Sequence, residues 1–175
     1  MHYIGDGKNV TNPKGNTSCY AMFRNFEGTS LDLSRFKTSE ITNMSFMFCD
    51  CINLEHLNLS NFNTDKVTEM KTMFCQCINL KTLNISNFDT SNVITMECMF
   101  WSCENLKELD ISNFYIGNIK ILNGIFWDCK SLETLKVSTD CLQFFLTHRG
   151  LLNIENNVNI TFVSKLDKVV NDLFY

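Results

Sequence analysis

Positive charge, histidine and long apolar runs are all scarce in this chain. No stretch approaches the ~18 consecutive apolar residues of a membrane helix, so no insertion into a membrane is expected. Fifteen basic residues lie scattered among 19 acidic ones, for a net charge of −4. Nucleic-acid binding requires a basic stripe, and the lack of one excludes that partner. The histidines are His2, His56 and His148. None is spaced to serve a nucleophile, so no enzyme and no catalytic residue is expected. The opening residues 1–8 lack a basic region followed by an apolar stretch. No secretory signal is therefore expected, which points to the cytoplasm; the cell surface is the alternative if these residues belong to a longer chain.

What the chain does have is order among its apolar residues, which make up 45% of 175, enough for one domain with a real core. The phrase LDLS at Leu31 returns as LNLS at Leu57, LNIS at Leu83, LDIS at Leu109 and LKVS at Leu135, each copy 26 residues after the last. A fixed period without insertions means one turn of a coil per copy, because a slip would carry an apolar residue out of the shared core. The expected fold is a repeat solenoid: a leucine-rich-repeat-like stack of parallel β-strands with short helical turns, about five coils with caps at both ends. Residues 1–30 form an N-terminal cap with a degenerate repeat, 31–138 the regular copies, and 139–175 a C-terminal cap.

Within a copy the columns are well drawn. Phe36, Phe62, Phe88 and Phe114 follow the strand, and Met47-Phe48 recurs as Met73-Phe74, Met99-Phe100 and Ile125-Phe126. The alternation over 54–59 predicts a short strand with His56 and Asn58 facing out. Val67, Met70, Phe74 and Cys77 are spaced as on a helix, and the β-branched start predicts a second short strand near Val67, then a helical turn over 70–76. Met22-Phe23 marks a worn copy within 18–30. Beyond Ser138 the period fails. Thr139-Asp140 is expected to cap a helix running through His148 and stopping at Gly150. A closing strand is predicted over 158–163 and an amphipathic helix over 165–174, with Leu166, Val169, Val170 and Leu173 on its apolar side.

Nine cysteines suggest a disulfide scaffold until their spacing is considered. Cys51, Cys77, Cys103 and Cys129 fall 26 apart, in one interior column. Neighbouring rungs ~4.8 Å apart miss the ~3.8 Å between β-carbons that a disulfide wants, so a ladder of free thiols in a reducing compartment is expected. The pairs Cys49/Cys51 and Cys75/Cys77 offer four thiolates to a metal such as zinc, the Cys-rich metal-binding alternative. Against it, the column of Cys49 and Cys75 continues as Trp101 and Trp127, which reads as a surface packing site; no metal and no cofactor are assigned.

The Leu-x-x-Leu-x-Leu core resembles leucine-rich repeats. The longer phrase Ser60-Asn61-Phe62-Asn63-Thr64, Val67-Thr68-x-Met70, Met73-Phe74-x-x-Cys77-x-x-Leu80 is similar to the BspA-like branch, and 86–106 repeats nearly every element. The likeness covers about residues 22–138. It departs in setting Phe62 where an asparagine ladder usually stands, and in Tyr115-Ile116-Gly117 replacing the Asp-Thr-Ser phrase. The resemblance implies a largely bacterial family, often displayed on cell surfaces, associated with adhesion and protein binding and not known for catalysis. No functional residues carry over from it.

The outward strand positions Asp32, His56, Asn58, Thr82, Asn84, Glu108, Asp110, Thr134 and Lys136 vary while the interior columns repeat, which marks them as the partner-binding face. Trp101 and Trp127 are a second candidate, an aromatic hot spot or a cover for the helical side of the stack. The expected function is a non-catalytic module that binds another protein, as an inhibitor or adaptor with a conjectured mobile-element origin. The alternative is the binding domain of a surface adhesin.

Overall fold

A computed structural model describes residues 6–164; the helix expected over 165–174 lies outside them, as does His2. Equivalent leucines of successive copies are next-door neighbours. β1 (Ser30–Leu31) runs parallel to β2 (His56–Leu57), with Leu31 opposite Leu57. Further along, β3 (Glu108–Asp110), β4 (Thr134–Ser138) and β5 (Asn159–Val163) form a parallel sheet in that order, with Leu109, Leu135 and Ile160 in line. The predicted closing strand is therefore formed, one residue late.

The strand wall is not continuous. Residues 82–84 form no strand, although Leu83 is buried like Leu57. Asn84 turns the chain after Leu83, its side-chain oxygen accepting the Ser86 N–H at 3.1 Å, as its counterparts do in the other copies. Side chains hold the register instead. Asn87 Nδ2 donates to Leu59 O at 3.0 Å and Phe62 O at 2.7 Å; Asn61 and Asn113 do the same one copy before and after. An asparagine ladder thus exists one residue ahead of the phenylalanine column, which corrects the expectation that Phe62 had displaced it. Thr38, Thr64 and Thr90 add a buried hydroxyl column, each accepting a backbone N–H of the next copy and donating to a carbonyl there.

The turn side differs from its expectation too. Over 70–76 there is no helix but a ribbon of tight turns, preceded by single parallel bridges linking Ser18, Asn43, Glu69, Thr95 and Ile121. Alternate N–H groups reach the next copy: Met44 to Glu69 O, Phe46 to Lys71 O, Phe48 to Met73 O and Asp50 to Cys75 O, at 2.8–2.9 Å. Of those between them, Met47 and Cys49 bond three residues back, to Met44 O and Phe46 O, and Ser45 N–H bonds the Asn43 side-chain oxygen. A residue of positive φ recurs every fourth position, Phe46 (59°) and Asp50 (62°), Thr72 (51°) and Gln76 (57°), Cys98 (53°) and Ser102 (55°). The same site in the next copy is Gly124, φ 65°. A helix would have spent these carbonyls on its own chain; here they serve the neighbour, and the apolar spacing of 3, 4 and 3 is kept by different geometry.

Between the two sides lies the core. Phe23, Phe48, Phe74, Phe100 and Phe126 stack with centroids 5.5–5.8 Å apart and planes within 9° of parallel. Cys51, Cys77, Cys103 and Cys129 are free and buried, each thiol donating to a phenylalanine carbonyl at 3.0–3.2 Å. Cys49 and Cys75, expected at the surface, are each only 4% exposed. Their column opens to solvent at Trp101 and Trp127.

The ends are covered. The worn copy docks through Phe23 N–H to Met47 O at 2.9 Å, and Asp32 N–H reaches Gly7 O at 2.8 Å. At the other end a 3-10 turn (Thr139–Cys141) leads to α1 (Leu142–Thr147) and α2 (Arg149–Leu152). Thr139 and Asp140 lie in that turn rather than capping the helix. Gly150 sits inside α2, and left-handed Asn153 (φ 56°) ends it. Phe126 N–H bonds Leu152 O at 3.1 Å and Gly124 N–H bonds Leu151 O at 2.9 Å, so this cap occupies the place of one more copy.

Candidate interaction face

Alternation along the strand segments puts leucines into the core and their neighbours out. Asp32, His56, Asn58, Thr82, Asn84, Glu108, Asp110 and Lys136 are all exposed, and Thr134 is half-buried. The structure brings all nine together. Asn58, Thr82, Asn84, Glu108, Asp110, Thr134 and Lys136 line a depression of about 490 Å³ floored by Leu57, Leu83 and Leu109. An adjoining one of about 350 Å³ takes in Asp32 and His56. Trp101 and Trp127 line neither. They stack on each other at 5.2 Å and 13°, and Trp127 is 52% exposed.

The nine are of two kinds. Asp32, Asn58, Asn84 and Asp110 form one column, each accepting the N–H two residues on, from Ser34, Ser60, Ser86 and Ser112, at 2.9–3.1 Å. Local turn formation thus restricts this column to Asp or Asn. The Ser34 N–H, then its hydroxyl, hold the Asp32 carboxyl below the usual carboxylate range. Lys136 escapes the restriction because β4 runs on through Ser138. The other column, His56, Thr82, Glu108 and Thr134, makes no such bond and is free to vary. Sequence reasoning treated both columns as variable; the D/N-x-S phrase beside each strand was the signal separating them.

The lone imidazole of this face, His56, is exposed. Among the described residues no three His, Cys, Asp or Glu side chains converge to hold a metal, and no helix is long and apolar enough to cross a membrane.

Residues 17–139, well over half of the chain, match the model of a family described as Mycoplasma protein of unknown function, DUF285. No curated protein and no solved structure matches.

Proposed function

The chain belongs to the DUF285 family, and on that premise we propose that it is a non-catalytic protein-binding module, a solenoid of the BspA-like leucine-rich-repeat kind. It holds another protein against its strand-side face and acts as an inhibitor or adaptor. One observation carries the reading: nine polar side chains, set apart by sequence as the outward positions, line two adjoining depressions above a repetitive core. Rigid repeats commonly present such a face for docking.

The experiment is affinity capture from native lysate with mass spectrometry, followed by calorimetric titration of the captured protein. The test substitutions are Thr82→Lys with Glu108→Lys, because those side chains carry no turn bond. The double variant is expected to keep its thermal unfolding midpoint and lose at least tenfold in affinity. Unchanged affinity with intact folding sinks this face as the site, and Trp101 and Trp127 then become the residues to replace.

A further inference from the structure

The first regular copy departs from the later ones along the edge between the strand side and the turn side. Arg35 stands in the column of Asn61, Asn87 and Asn113, and Lys37 in the column of Asn63, Asp89 and Tyr115. In the later copies these columns do structural work. The three asparagines each donate to two carbonyls of the copy before. Asn63 and Asp89 close turns by accepting the Asp65 and Ser91 N–H at 2.9 and 2.8 Å. Arg35 and Lys37 do neither. Both are exposed, and among the described residues neither side chain enters a hydrogen bond or an ion pair. Two positions that build the fold elsewhere carry unused positive charge here.

With Ser39 and Asn63 they line a depression of about 280 Å³. An adjoining one of about 320 Å³ shares Lys37 and Ser39 and adds Lys14 from the cap. The cap is fastened to this edge, since Asn12 Nδ2 donates to Lys37 O at 2.8 Å. The one carboxylate lining the pair, Glu40, is already taken by Lys66 at 2.9 Å. Asp32 accepts the Ser34 N–H and forms no ion pair with Arg35. Elsewhere cations are matched: Arg24, Lys71, Lys81 and Lys130 each meet a carboxylate of a neighbouring copy at 2.6–2.8 Å. Lys14, Arg35 and Lys37 meet none among the described residues.

We infer that this edge docks an acidic segment of a partner protein, on a surface separate from the strand-side face. Three cations without a carboxylate of their own set up a field that attracts one, and the planar fork of Arg35 suits a carboxylate held by two bonds. A long nucleic acid is disfavoured, because the net charge of −4 repels a polyanion that extends past the edge. A short run of Asp or Glu meets only the positive corner. The strand-side depressions share no lining residue with these two, so failure here leaves the strand-side reading standing.

The test is fluorescence anisotropy of a labelled oligoglutamate peptide titrated with the full chain, at low and at near-physiological salt. Binding below millimolar concentration that weakens as salt rises is expected. Arg35→Glu with Lys37→Glu is expected to keep the thermal unfolding midpoint and lose at least about tenfold in affinity, and the milder Arg35→Gln with Lys37→Gln to lose part of that. Lys120→Glu with Lys136→Glu makes the same change in net charge at exposed lysines outside this edge. That control is expected to stay within about twofold of the unaltered chain, because distant exposed charges are screened. An equal loss in both charge-reversed variants overturns the assignment. So does a failure of the unaltered chain to bind the peptide, or tighter binding of an oligothymidylate of the same charge.

Discussion

At the scale of single residues, the side chains that matter most are polar ones facing backbone. Asn87 satisfies two carbonyls of the preceding copy at once. Its replacement by Ala leaves both without that donor, and a loss of about 1–3 kcal/mol is expected, read as a lower urea midpoint at constant slope. Asn92, exposed and bonded to one carbonyl, is the comparison and loses less. Thr64→Val removes both bonds between its hydroxyl and the Asp89 backbone and is expected to cost a similar amount. These columns were written in the sequence as plainly as the leucines, since Asn61, Asn87 and Asn113 also fall 26 apart. They passed unread because apolar periodicity was the signal followed, and a polar residue beside a strand looks like solvent-facing surface until a carbonyl is seen opposite it.

At the scale of elements, the strand side was legible and the turn side was not. A period of two leaves one physical interpretation for Leu-x-Leu, so Leu31, Leu57, Leu109 and Leu135 stand where alternation puts them. The spacing of Val67, Met70, Phe74 and Cys77 suits a helix and a turn ribbon equally. The left-handed residues that decide between them are Phe46, Thr72 and Cys98, which carry none of the glycine signature expected of positive φ. Neighbours impose that conformation, and its local cost is of order 1–3 kcal/mol per residue. Phe74, sandwiched between Phe48 at 5.6 Å and Phe100 at 5.7 Å, tests how firmly they do so. Phe74→Ala is expected to destabilise by about 3–5 kcal/mol in urea unfolding.

At the scale of the whole molecule, charges repeat the same offset. Arg24–Asp50, Glu40–Lys66, Glu55–Lys81, Lys71–Glu97, Glu104–Lys130 and Lys107–Glu133 each tie one copy to the next. Hydrogen bonds from Lys71 and Lys81 hold the Glu97 and Glu55 carboxyls below their ordinary value of 4.5. A depressed folded-state value stabilises above 4.5 and ceases to do so as pH falls through it. The thermal midpoint is therefore expected to drop modestly on acidification below 4.5, by calorimetry, and to drop by a similarly small amount in molar salt near neutrality, because exposed pairs are weak and screened. The cap matters more. Ending the chain at Ser138 removes Leu151 and Leu152, whose carbonyls accept from Gly124 and Phe126, and bares the edge of β4. Such a truncation is expected to self-associate, measured by light scattering. The constant offset has a genetic consequence as well. Excising residues 57–82 would set Leu83 where Leu57 stood, with each surviving junction finding an equivalent mate. Unequal recombination between copies can thus lengthen or shorten the strand-side wall in whole modules, without inventing a new fold at any step.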